Sequence, residues 1–226
     1  MEHPLDFPAW NALISRNKNL SEGNERVKYF HEEVAPFVGM SELSPDEFEL
    51  LYYLIPLKRR MVIIISKEIE IPKQWTLTEH IKALQMVYTQ DAPPGNASAE
   101  IIQLQNKDVP QMLDLTAITH PGPFLKRTIE FGNYEGIFEN GNLISMAGER
   151  MHPGQYVEIS AVCTHPDHLG KGYASQLIQS QVRRIKASSG VPFLHVKDDN
   201  LPAIGLYKKL GFEVRKQMNI YVFRKD

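Results

Sequence analysis

The sequence predicts an α/β chain with a mixed sheet and flanking helices over residues 100–226, preceded by an accessory α/β unit over residues 1–90. Three observations predict it. Strand-like and helix-like runs follow one another through the second half, the order that lays helices on the faces of a sheet. Residues 90–99 read QDAPPGNASA, with paired prolines, a glycine and no large apolar side chain, so 91–99 is the expected linker. Asn140-Gly141-Asn142 separates two strand-like runs, and these residue types accept the positive φ of a hairpin turn.

The elements are expected in this order. Ser44-Pro45-Asp46-Glu47 is a capping box with proline in the first turn, and Phe48, Leu51, Leu54 and Ile55 follow at helical spacing. Met61 to Ile65 is short and β-branched and reads as a buried strand. Thr76 and Glu79 form a second capping box, which predicts a helix carrying Ile81, Leu84 and Tyr88. Trp10 and Trp75 are expected in the core. Past the linker, a strand at 101–104 precedes a helix from Val109 to Ile118 with Asp108 as N-cap. Strands are expected at 134–139, 143–151 and 156–164. A helix, a strand at 193–196, a second helix and two strands, 212–215 and 220–224, complete the chain.

Composition narrows the function. Of 226 residues, 42% are apolar and 23% charged, ordinary globular usage that excludes a fibrous or wholly disordered chain. The longest apolar run, Met61 to Ile65, is far below the ~20 residues that span a bilayer. No basic stretch followed by an apolar run opens the sequence, so no secretory leader is expected. Cys163 stands alone, which fits a reducing compartment, and the expected location is cytoplasmic. The net charge of −2 gives no reason to expect nucleic acid or a membrane as partner.

Chemistry concentrates in two stretches. In Val157-Glu158-Ile159-Ser160-Ala161-Val162-Cys163-Thr164, followed by His165-Pro166-Asp167-His168-Leu169-Gly170-Lys171-Gly172-Tyr173-Ala174, a strand runs into a glycine-rich turn that opens an amphipathic helix. Glycines let backbone N–H groups approach a ligand closely, and at a helix start those groups favour an anion such as pyrophosphate. The second stretch, Asp199-Asn200-Leu201-Pro202-Ala203-Ile204-Gly205-Leu206-Tyr207-Lys208-Lys209-Leu210-Gly211-Phe212, opens a helix with Asn200 as cap and Pro202 just inside.

Together the stretches resemble the GNAT superfamily of acyl-CoA-dependent N-acyltransferases. The first is similar to its motif A, Q/R-x-x-G-x-G/A, and the second to its motif B, with N-x-x-A-x-x-L-Y-x-x-x-G-F intact. The likeness covers residues 101 to 226, and that half also resembles glycine N-acyltransferase-like proteins, of whose fold the first half would be a truncated copy. The resemblance implies a mostly antiparallel GNAT sheet, acetyl-CoA as acyl donor, a primary amine on a small molecule or peptide as acceptor, no metal, and a fold that allows a homodimer. It places the pyrophosphate at Leu169, Gly170, Lys171, Gly172, Tyr173 and Ala174. The pantetheine arm would lie along Val162, Cys163 and Thr164 and near Asn200, where the strand splays from its neighbour. One departure is plain: the family's Gln or Arg is Leu169 here. Tyr207 matches a tyrosine that stands near the thioester sulphur in relatives, making it the expected general acid and a cofactor contact. Glu158, at a position where relatives carry a catalytic glutamate, is the expected base and by strict alternation would share a face with Ser160 and Val162. Glu149 or a water chain is the alternative base.

Other signals read as structural. His165-x-x-His168 with Asp167 lies within the turn, and a metal there would need a third ligand such as His152. Cys163 reads as a small strand residue, and the Arg183-Arg184-Ile185-Lys186 cluster as a solvated helix end. Two other classes stay open. An acyl-CoA sensor would need Gly170, Gly172 and Asn200 but neither Tyr207 nor Glu158; an assembly subunit would expose an apolar patch on its first half.

Overall fold

A computed structural model describes residues 3–91 and 99–226. The helices are α1 (Pro8–Leu13), α2 (Pro45–Leu54), α3 (Val109–Thr119), α4 (Tyr173–Ala187) and α5 (Leu201–Lys209). The strands are β1 (Ser21–Gly23), β2 (Val27–Phe30), β3 (Val38–Met40), β4 (Arg60–Ile65), β5 (Thr76–Tyr88) and β6 (Ile102–Gln103). They continue with β7 (Glu135–Glu139), β8 (Asn142–Glu149), β9 (Tyr156–Thr164), β10 (Val191–Lys197) and β11 (Phe212–Arg224). Among the described residues no helix is long and apolar enough to cross a membrane.

The large sheet has eight strands in the order β4-β11-β5-β10-β9-β8-β7-β6. Only β9 and β10 run parallel; every other neighbouring pair in it is antiparallel, as a mostly antiparallel sheet requires. A second sheet, β1-β2-β3, meets the edge of the first through a bridge from Phe37 to Val62. The expected linker falls mostly on residues 92–98, which lie outside the described residues. The change of composition there is not a division of the sheet. Strands β4 and β5 from the first half flank β11 from the second, and one core cluster joins Phe30, Phe37 and Ile64 to Met112, Met146 and Met218.

Two expectations are corrected. Residues 76–88 are not a helix but β5, a strand of 13 residues. Ile81, Leu84 and Tyr88 fit a helical period, but β10 and β11 offer backbone partners on both edges, and that non-local pairing overrides the local signal. The last two expected strands are one, β11, irregular between Val214 and Lys216. A bulge there takes Arg215 out of the ladder and re-aims its side chain.

Elsewhere local chemistry decides. Glu47 opens α2 by accepting from the N–H groups of Ser44 and Glu42, at 3.3 and 3.0 Å. Asn140 and Gly141 take φ of 52° and 81° in the β7–β8 hairpin. Gly148 admits the Tyr134 ring: a Cβ there would stand 2.3 Å from it.

The sheet buries different clusters on its two faces. Under α4 and α5 lie Val157, Ile159, Leu194, Val196 and Met86. The other face, toward α1 and α3, buries Ala161, Cys163, Met146 and Met151.

Candidate active site

The site forms where β9 leaves β10. Their backbones pair only from Tyr156 to Glu158 against Val191 to Phe193, although β9 runs on to Thr164 and β10 to Lys197. Beyond Glu158 the strands part. On its other edge β9 pairs with β8, and the register shifts between Met146/Cys163 and Gly148/Ser160. Ala161 absorbs that shift with φ 52°, left-handed and costly for a residue with a Cβ. The bulge reverses the expected alternation. Val162 packs beside Leu177 and Tyr173 under α4, while Ala161 and Cys163 enter the opposite cluster, so Glu158 and Val162 are not held on one face.

From Thr164, whose hydroxyl lies 2.7 Å from that of Ser145, the chain enters the glycine turn. Gly170 and Gly172 both have φ 77°, which L side chains resist. A Cβ on either would meet nothing within 4 Å, so the space outside the turn is open. Gly172 caps α4, whose first turn contains Tyr173 and Ala174, and the helix's unpaired N–H groups face that space. Lys171 stands 3.6 Å from Glu139 at the hairpin tip, and Leu169 is exposed. Two surface hollows contain none of the residues from 162 to 174. One, about 470 Å³, lies by Lys107 and Gln111, and the other, about 320 Å³, by Tyr156 and Arg215.

Asn200 caps α5, its side-chain oxygen accepting from Ala203 N at 3.2 Å. The cap uses the oxygen and does not need the amide donor. Tyr207 is half-buried one turn beyond Ala203, packed on the cluster that holds Ile159 and Val196 and edge-on to Phe212. Burial pushes its hydroxyl up to about 12, so it stays protonated and able to donate.

Glu158 is fully buried, and its carboxylate is already engaged. Arg150 donates to both oxygens, Nε to Oε2 at 2.9 Å and Nη2 to Oε1 at 2.5 Å. His195 Nδ1 lies 2.7 Å from Oε1. Burial alone would raise this carboxyl, but the Arg150 charge and the hydrogen bonds from Arg150 and His195 outweigh it and hold the group at about 2. Such a carboxylate is a weak proton acceptor at neutral pH, a poor match to the base expected at this position. Glu149, the alternative, is buried 3.1 Å from His152.

The remaining candidates have structural contacts. His165 Nδ1 accepts from Asp167 N, and His168 lies 3.5 Å from Glu139. Burial pushes the Cys163 thiol up to about 11, against the thiolate a nucleophile needs. Arg184 pairs with Glu135. Sequence reading missed Arg150, His195 and Gln85. The one pointer to them was the carboxylate within an apolar strand, which has to find a cation.

Comparison with known proteins agrees with this fold. Residues 134–222 match the family described as FR47-like protein. An acetyltransferase of Yersinia pestis is 34% identical over 80 residues, 34% of this chain and 54% of the relative, so the match spans about half of that protein's length. A GCN5-related N-acetyltransferase from Kribbella flavida, 13% identical with a TM-score of 0.64 over 97% of this chain and 96% of its own, shares the fold. A GNAT-family protein from Novosphingobium aromaticivorans is 31% identical and superimposes with a TM-score of 0.92 over the whole of both chains. The chain belongs to the GNAT family of acetyltransferases.

Proposed function

We propose that this protein transfers an acetyl group from acetyl-CoA to a primary amine. The observation that carries the reading is the continuous path from the parting of β9 and β10, past the bulge at Ala161, to the glycine turn at the start of α4. The residues present fit the donor. The turn offers open space and helix N–H groups to a pyrophosphate, Lys171 adds a cation, and the free edge of β9 from Ile159 to Thr164 offers backbone partners to an extended pantetheine arm. Leu169 contributes no polar group, so the backbone carries the phosphate contact.

Acetyl-CoA supplies an activated acyl carbon and a thiol leaving group. The amine lone pair forms the new C–N bond, the C–S bond breaks, and the sulphur takes a proton. Tyr207 is the donor of that proton. Backbone N–H groups on the bulged part of β9 stabilise the negative oxygen that develops during transfer. With Glu158 held in its ion pair, the amine loses its proton to water or to Glu149. Release of free thiol from acetyl-CoA on addition of an amine tests the reading, with amino acids, polyamines and peptide N-termini as acceptors. Calorimetry with CoA tests binding independently. No CoA binding overturns the proposal; binding without release to any acceptor favours an acyl-CoA sensor.

A further inference from the structure

We propose that Gln85 is a positioning residue of the transfer site: it holds Nε2 of His195 while Glu158 holds Nδ1, and so fixes the ring, and through it the Glu158 carboxylate, where β9 and β10 part. The functional half of this statement rests on the acetyl-transfer reading above. Gln85 is fully buried on β5, paired in register with His195 on β10. Its side-chain nitrogen donates to the Leu5 carbonyl at 2.8 Å and stands 3.0 Å from His195 Nε2. Its side-chain oxygen accepts from Arg215 Nη1 at 2.7 Å.

These partners leave the amide one orientation. A carbonyl only accepts and a guanidinium only donates, so turning the amide round would oppose oxygen to oxygen at Leu5 and N–H to N–H at Arg215. The amide nitrogen carries two hydrogens and cannot accept. His195 Nε2 must therefore be the acceptor, and the ring proton sits on Nδ1, aimed at Glu158 Oε1 2.7 Å away. Arg215 is itself held by Asp6 at 2.7 Å. The segment around Leu5 and Asp6 thus supplies both the carbonyl and the carboxylate that orient Gln85.

The consequence falls on the opening between the strands. The last backbone pair of β9 and β10 is Glu158 with Phe193, and His195 lies two residues beyond it. The His195–Glu158 bond is a side-chain tie across strands whose ladder has ended. With the proton on Nε2 instead, two lone pairs would face each other at that distance, and the strands would move apart beside the path proposed for the thioester.

The test uses full-length protein with ¹⁵N-labelled histidine. Imidazole correlation spectra should show His195 with Nδ1 protonated and Nε2 bare; the opposite tautomer in the wild type overturns the proposal. Gln85→Leu removes the donor to Nε2 while Glu158 still accepts from Nδ1–H. His195 should therefore keep its Nδ1 proton, and its Nε2 signal should move as that nitrogen loses its hydrogen bond or takes up a proton. The kcat for thiol release should then fall by about 10²-fold, the cost of an ångström-scale misplacement. CoA affinity by calorimetry should stay unchanged, since the glycine turn is untouched. Asp6→Asn, which slackens Arg215 at a half-exposed site, should move the spectrum and kcat the same way by less, and it serves if the Leu variant does not fold. An unmoved Nε2 signal in a folded variant, or a moved signal with unchanged kcat, overturns the positioning role. A wild type that turns over no amine instead fails the acetyl-transfer reading, while its spectrum still decides the claim about the tautomer.

Discussion

The two faces of the central sheet are built differently around the same pair of strands. Toward α4 and α5, Val157, Ile159, Leu194 and Val196 meet Ile178, Val182 and Ile185 in an apolar layer. On the other face, Arg150, Glu158, His195 and Gln85 form a buried chain of charged and polar groups. Apolar packing is non-directional, and its strength follows the area removed from water. Hydrogen bonds between buried groups are directional and tolerate little displacement. The strands are thus held by shape on the side where α4 offers its N-terminus to a ligand. On the side where they begin to separate, they are held by fixed geometry.

The largest effect that separates these modes is on stability. Removing one member of a buried ion pair strands the other charge, at a cost of about 3–5 kcal/mol. Arg150→Met should show a loss of that size in urea denaturation, and the double variant Arg150→Met/Glu158→Leu should recover much of it. A single-variant cost below about 1 kcal/mol, the level of an exposed pair, would break the distinction between the faces. The pH dependence has a fixed sign. The Glu158 carboxyl lies at about 2 in the folded chain, against about 4.3 in an unfolded one. Its contribution is therefore fully present above about pH 4.3 and is lost as the pH falls toward 2. The amount is on the order of 3 kcal/mol, and Glu158→Gln should flatten the acid limb of stability in that window.

The donor side should respond in binding more than in stability. Gly170→Ala forces a Cβ into a φ of 77°, which costs about 1–2 kcal/mol of folding stability. It adds little bulk to an open surface, so part of the CoA affinity should survive. Gly170→Leu, unbranched at Cβ, brings similar backbone strain with added bulk where the phosphates would approach, and calorimetric CoA binding should vanish. Equal affinity in the two variants would mean that the strain, and not closeness of approach, governs the site.

The contrast also explains what the sequence could reveal. The glycine turn, the Asn200 cap and the amphipathic α4 are each written within about fifteen consecutive residues, since backbone approach and helix capping are local. The chain behind Glu158 is assembled from the residue that follows β8, from β9, β10 and β5, and from the bulge in β11, and nothing local in Gln85 announces its partner 110 residues away. β5 itself was hidden for the same reason: a capping box and helical spacing are local statements, and its two neighbouring strands are not. The Ala161 bulge could not be read either, because it is a mismatch of register between β8 and β9, and strict alternation put Val162 on the wrong face.

The smallest expected effect concerns Tyr207, which sits on the apolar side but is assigned a chemical task. Tyr207→Phe keeps the ring against Phe212 and removes only a hydroxyl, so stability should change by less than about 1 kcal/mol. CoA affinity should hardly move, because the pyrophosphate contacts lie at the other end of the opening. The loss should appear in kcat, at about 10-fold, below the 10²–10⁴ usual for general acid–base catalysis. The leaving group explains the modest size. A thiol near the ordinary pKa of about 8.5 departs readily as thiolate and needs little proton donation. The penalty should therefore shrink further with a thioester whose thiol is more acidic. Burial also places the titration of Tyr207 near 12, so any alkaline fall in rate below about pH 10 belongs to another group and should persist in the Phe variant. A Phe variant equally slow with both thioesters would show that the hydroxyl orients the donor and gives up no proton, and the apolar face would then be purely a matter of packing.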